Sequence, residues 1–320
     1  MGEDHHIASA GHRDIAEQDQ QAQGAHQSAG KDPWLELTPA GVGVVDDDAG
    51  DGVVEGVQDP QYREDAAHQG QHDHAVGILE TFGIEGLVII GGDGSLHGGL
   101  ELDSRGITVM GVPGTIDNDL AYTDYTIGFD TACNTAIECI DKLRDTMQSH
   151  ERCSVVEVMG RHAGYLALYV GIAVGATAVL IPERDVDFEK DVVERIRESR
   201  LAGNTHFMIV VAEGAGSAVE IGKRIQETVG IDPRVTVLGH IQRGGSPTAR
   251  DRETASRMGY AAVKALAEGR MNCIVGTNEG HLVEIPIEKA LNMTKHLQME
   301  RYEVLEAMHN QVPLKCGPIQ

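Results

Sequence analysis

The strongest constraint on this chain is a change of rhythm at about Ala75. From there onward, short β-branched and aliphatic runs alternate with stretches of helical periodicity. Alternation of that kind builds an α/β fold around parallel sheets. Candidate strands are Gly86–Ile90, Thr108–Val112, Ser154–Met159, Ala178–Ile181, Phe207–Ala212 and Arg234–Leu238. Most are near-continuous apolar runs, as strands covered on both faces must be. Helical stripes show best over Asp130–Met147 (Ala132, Ile137, Ile140, Leu143, Met147) and Asp187–Leu201 (Val192, Val193, Ile196, Leu201).

The first 75 residues behave otherwise. They hold 3 basic and 16 acidic residues and so supply more than half of the net charge of −24. Rich in Gln, His, Asp, Gly and Ala, this segment has too little apolar surface to offset its ordering entropy, and disorder is its expected state. A metal pair at His72 and His74 is conceivable, but a solvated polar tail is the simpler account. The acidic balance excludes nucleic-acid binding through bulk positive charge. No apolar run reaches the ~18 residues of a membrane helix. The opening MGEDHHIASAGHRD has neither a basic start nor an apolar stretch, so a soluble cytoplasmic protein is expected. Cys133, Cys139, Cys153, Cys273 and Cys316 are scattered without a CxxC pair and read as free thiols.

Two motifs carry chemistry. Gly91-Gly92-Asp93-Gly94-Ser95 follows the Gly86–Ile90 strand and precedes a helix expected from about Leu96. Glycines in a strand-to-helix turn let backbone N–H groups approach a phosphate. Asp93 in its midst suits Mg²⁺, which takes one or two carboxylates plus substrate phosphates. Alone, the turn could equally be ordinary punctuation. The second motif, Pro113-Gly-Thr-Ile-Asp-Asn-Asp119, also lies at a strand's carboxyl end, where open α/β sheets bind ligands. One of Asp117 and Asp119 can deprotonate a hydroxyl while the other orients or touches metal, beside the hydroxyl of Thr115. Solvated acids in an Asx-turn are the bland alternative.

GGDGS, PGTIDND, SHER (Ser149–Arg152), MGRHAG (Met159–Gly164), VAEG (Val211–Gly214) and RVTVLGHIQRGGSPTA (Arg234–Ala249) together resemble bacterial ATP-dependent 6-phosphofructokinases, from about Ile84 to near Asn310. The resemblance implies two similar three-layer α/β lobes with mostly parallel sheets and an active site in the cleft between them. It implies an ATP/Mg²⁺ lobe over 76–128 and 241–291, and a fructose 6-phosphate lobe over 129–240 and 292–320. Residue by residue, it makes Asp117 the base toward the sugar 1-hydroxyl, supported by Thr115, Asp119 and Arg161. Gly92, Asp93, Gly94 and Ser95 would contact ATP, Asp93 also holding Mg²⁺. Met159, Gly160, Glu213, His240 and Arg243 would hold fructose 6-phosphate, with Arg152 and Arg234 reaching a neighbour's site in a homotetramer. Relatives that use pyrophosphate carry bulkier residues where this chain has Gly94 and Gly114, which points to ATP as donor.

The family opens with an apolar strand and a phosphate-binding turn that residues 1–75 do not match; Gly41–Val45 followed by Asp46–Asp48 puts acids in its place. A shifted frame or start, or a chimaeric gene, would produce this abrupt change; a lineage-specific extension is the other source. An inactive phosphofructokinase-like subunit or sugar-phosphate-binding protein is therefore the alternative function. A lipid or NAD kinase would share GGDG without MGRHAG or GHIQRGGSP. By register, the family's effector site keeps Arg144 but has Thr177 for its acid and Asn204 and Thr205 for its lysines.

Overall fold

A computed structural model describes residues 72–147 and 152–309, all within one compact unit, Val45–Gln320. The disorder expected over residues 1–75 therefore concerns mainly residues outside those described. The last four positions of that segment are described and begin a helix over 72–81, whose Ala75, Val76 and Leu79 pack on the core.

Two sheets organise the rest. In the first, β1 (Gly86–Gly91), β2 (Thr108–Thr115), β8 (Cys273–Asn278) and β9 (His281–Pro286) lie in that order, with β3 (Ile127–Gly128) on the end of β2. All its pairings are parallel except β8 with β9. The second sheet, β5 (Ala178–Leu180), β6 (His206–Ala212), β4 (Arg152–Val158) and β7 (Arg234–Val237), is wholly parallel.

Side-chain alternation along each strand feeds a core on either face. In β6, Phe207, Ile209 and Val211 join the helix residues Val192, Ile196, Ile221 and Ile225, while Met208 and Val210 meet Ala136, Ile140, Leu166 and Val170. The first sheet repeats the scheme. Val109 packs with Leu96 and Leu102 of the helix Asp93–Asp103, and Met110 and Val112 with Met258 and Ala262 of the helix Ala249–Ala267. Each lobe is thus helix, sheet, helix.

Differences from the sequence reading have local causes. β2 continues through Pro113, Gly114 and Thr115, residues that resemble a turn; pairing of Pro113 with Gly91 and of Gly114 with Ile127 keeps them extended. The helix after β1 begins at Asp93, three residues before Leu96, so Gly94 and Ser95 belong to its first turn. The segment 187–201 opens with a π-turn, Glu189–Glu194, before the α-helix Arg195–Leu201. The hairpin β8–β9 escaped notice because Glu279 and Gly280, both at positive φ, form its turn in place of a more telling Asn-Gly.

One carboxylate ties distant segments together. Buried Asp251 accepts the Gly128 and Thr131 N–H groups, each at 2.9 Å, and the Thr131 hydroxyl, which satisfies the start of the helix Phe129–Met147. Thr248 caps Asp251's own helix through the Asp251 N–H at 3.2 Å. Asp251→Ala strands these donors, and since a bond to a charged group contributes ~1.5–3 kcal/mol, a loss of about 3 kcal/mol is expected as a lower urea midpoint at unchanged slope.

Candidate active site

Parallel strands place their carboxyl ends on one edge, and the motif residues sit there. Gly92 and Asp93 follow β1, Thr115 ends β2, Met159, Gly160 and Arg161 follow β4, and Glu213 follows β6. His240 and Arg243 share the 3₁₀ turn Gly239–Arg243 just beyond β7.

Local backbone chemistry fixes each piece. Gly92 is the cap of the helix Asp93–Asp103, whose first-turn amides on Asp93, Gly94 and Ser95 have no helical carbonyl to bond and are available to an anion. A Cβ on Gly92 would lie 3.7 Å from that of Thr115, so this turn lies directly against the start of the second motif. There the Thr115 Oγ1 accepts the Asp117 N–H at 3.2 Å. Asn118, between the two aspartates, takes φ of 53°, and its Oδ1 accepts the Thr126 N–H at 3.1 Å.

Glu213 holds the opposite wall. Its Oε1 accepts the N–H groups of Gly160 (3.1 Å) and Arg161 (2.7 Å), fixing two residues that both have positive φ. A Cβ at Gly214 would stand 2.3 Å from the Arg161 carbonyl oxygen, so only glycine permits this approach. The Arg161 Nε then lies 3.8 Å from the Asp117 Oδ2, joining the edges of the two sheets.

Asp117 is buried, and its carboxyl is pushed up to about 6, chiefly by burial and then by the negative charges of Asp119 and Glu213; Arg161 and Arg243 pull the other way. Burial raises the Tyr122 phenol, and the charges of Asp93 and Asp119 add to the shift.

Arg152 and Arg234 are not brought to this site. They begin β4 and β7 and therefore lie toward the amino-terminal edge of the second sheet, at ~3.3 Å per residue about 23 Å along the strand from Met159 for Arg152 and about 17 Å for Arg234, which pairs with Ser154. In the described chain Arg234 pairs with Asp232 at 3.1 Å. Of the effector-register residues, Arg144, Thr177 and Asn204 line a cavity of about 260 Å³, and Thr205 is not in its wall. Thr177 Oγ1 there accepts the Met208 N–H at 3.1 Å, and Asn204 Nδ2 donates to Ser199 Oγ at 3.0 Å.

Two contributors were missed in the sequence. Gln242 is buried, and its Oε1 accepts the Met159 N–H at 2.8 Å; its place between His240 and Arg243 was the available signal. Lys295 donates from Nζ to the Asn118 carbonyl (2.8 Å), the Asn118 Oδ1 (3.2 Å) and the Thr123 carbonyl (3.0 Å), and burial lowers its amine to about 8. No local pattern links it to a loop more than 170 residues away.

A glycine-bearing anion turn, a buried carboxylate and a guanidinium meeting across two α/β lobes define a phosphoryl-transfer class of site. A phosphofructokinase family profile matches residues 58–266, beginning before the first recognisable motif. The ATP-dependent 6-phosphofructokinase of Clostridium botulinum (strain Loch Maree / Type A3) is 51% identical over 232 residues, 72% of each chain. ATP-dependent 6-phosphofructokinase 1 of Clostridium perfringens (strain 13 / Type A) is 51% identical over 238 residues, 74% of each. In structure, the phosphofructokinase of Saccharomyces cerevisiae aligns with a TM-score of 0.64 and 32% identity, over 72% of this chain and 34% of that one. The chain belongs to the phosphofructokinase family.

Removal of a like charge must lower a raised carboxyl. The Asp117 carboxyl, followed by carbon-13 NMR titration of the full chain, is expected to titrate near 6 and to move toward the ordinary aspartate range in Asp119→Asn. An unchanged midpoint in the variant contradicts the assigned cause.

Proposed function

We propose that this site transfers the terminal phosphoryl group of ATP to the 1-hydroxyl of fructose 6-phosphate, giving fructose 1,6-bisphosphate and ADP. The observation that carries the reading is Asp117, a buried carboxylate with its pKa raised to about 6 and a guanidinium 3.8 Å away. Above that pH it is ionised and accepts the hydroxyl proton as the sugar oxygen bonds to the terminal phosphorus and the bond to the ADP oxygen breaks. Arg161 then balances charge spreading over the transferred oxygens. Thr115 keeps the base in register through the Asp117 N–H, and Asp119 supports the transfer geometry. The amides of Gly94 and Ser95 at the helix start receive the ATP phosphates.

Mg²⁺ fits these residues, because exposed Asp93 offers a hard oxygen in the first turn of the helix whose amides face the phosphates. When bound, the metal would neutralise phosphate charge. The family's remaining nucleotide contacts, from its opening strand and phosphate-binding turn, have no counterpart in the sequence of residues 1–75. The lobe of the first sheet (76–128 and 241–291) takes ATP, and that of the second (129–240 and 292–320) takes the sugar phosphate, through Met159, Gly160, Glu213, His240 and Arg243. The distance of Arg152 and Arg234 from this edge supports their serving a neighbouring subunit in a homotetramer. An active monomer by sedimentation would contradict that assembly.

A coupled assay of ADP release with fructose 6-phosphate tests the activity. Asp117→Ser is expected to lower turnover by ~10²–10⁴ while leaving sugar-phosphate affinity roughly intact. In the parent, turnover should fall as pH drops through about 6, where the base becomes protonated. Sugar-phosphate binding without any turnover in the parent would favour the inactive-subunit reading.

The same assay reads regulation. With Thr177 and Asn204 already bonded to their neighbours and no acid or lysine in their places, ADP or phosphoenolpyruvate should shift the fructose 6-phosphate midpoint little. A large saturable shift that Arg144→Ala removes would show an intact effector site.

A further inference from the structure

Behind the aspartate loop lies a larger cavity, about 540 Å³, bounded by the 118–125 loop, the helix Tyr165–Val174 and the segment 294–301. Three tyrosines line it, and each carries a cation on its ring face. Arg250 lies 3.9 Å from the centroid of Tyr125, Lys295 5.1 Å from that of Tyr165, and Arg301 4.4 Å from that of Tyr169. His296 also lines the wall, and Asp124 is the acid among the lining residues. Asp124 already accepts the Glu279 N–H at 2.6 Å.

This cavity is an electrostatic exception in a chain of net charge −24. Among the described residues, no carboxylate forms an ion pair with Arg250, Lys295 or Arg301. Lys295 commits its donors to Asn118 and Thr123, and the Arg301 Nε donates to the Gln298 Oε1 at 3.3 Å, so the Arg250 guanidinium and the outer Nη groups of Arg301, each stacked on a tyrosine, are the groups arranged for a shared counter-charge. We propose that this cavity is a binding site for a small phosphorylated anion, distinct from the edge that carries Asp117. Phosphate oxygens accept charge-assisted hydrogen bonds from guanidinium and ammonium groups, and the volume suits a compact molecule with one or two phosphates.

The site is joined to the aspartate loop through one residue. Lys295 faces the cavity and also donates to both oxygens of Asn118, which stands between Asp117 and Asp119. An anion that draws the ammonium toward itself alters the hold on that loop, so binding here is coupled to the aspartates and the coupling is reciprocal.

The binding claim does not depend on the phosphoryl-transfer reading, and its test needs no turnover. Inorganic pyrophosphate is titrated into the full-length chain by calorimetry, without metal. The expected result is saturable binding that survives Arg161→Gln and weakens at least tenfold in Arg250→Gln/Arg301→Gln. Both arginines are exposed, and thermal unfolding shows whether the double variant keeps its fold; if it does not, Arg301→Gln alone is expected to weaken binding measurably. No saturable binding overturns the proposal. So does binding that Arg161→Gln removes and the Arg250 and Arg301 substitutions leave unchanged, since that anion sits at the aspartate site.

Discussion

Everything in this site depends on strands running the same way. Parallel pairing sends β1, β2, β4, β6 and β7 out of their sheets at one edge each, so loops far apart in sequence emerge side by side. Antiparallel hairpins would have scattered them to opposite ends. The contact of Arg161 with Asp117 then joins the two edges, and both partners are held by rigid supports: Glu213 behind the arginine, Thr115 and Lys295 behind the aspartate loop.

Those supports explain how a buried acid is maintained. Burial alone disfavours the charged form of Asp117, and nearby Asp119 and Glu213 add to the penalty; the two arginines recover only part of it. The outcome is a group that is ionised near neutrality and still basic enough to take a proton. The positive φ of Asn118 and Arg161 carries a further backbone cost of order 1 kcal/mol each. Such costs persist where surrounding bonds over-determine the geometry, as the Glu213 oxygen does for Gly160 and Arg161.

What was legible in the sequence followed from local chemistry. Strands such as Phe207–Ala212 announce themselves because both faces must be apolar, and the motifs PGTIDND and MGRHAG are contiguous. Backbone contacts between motifs were not legible. Gln242 and Lys295 hold Met159 and Asn118 through bonds spanning 83 and 177 residues; only Gln242, between His240 and Arg243, has a neighbourhood that hints at its task. The end of β2 was misjudged for the same reason, since Pro113 and Gly114 are extended only because other strands pair with them.

The order in which the strands occur along the chain sets the timetable on which the lobes can form. Every strand of the second sheet lies between Arg152 and Val237, an uninterrupted stretch, whereas β2 of the first sheet waits for β8, pairing Met110 with Cys273. Closing so distant a contact is slow, and a chain emerging from the ribosome completes local units first. The second lobe can therefore be assembled while β1 and β2 still present one flank without its partner. For that interval the nascent chain exposes one unpaired edge of an apolar strand, Thr108–Val112, and it is there that a chaperone or a misfolding encounter would find it.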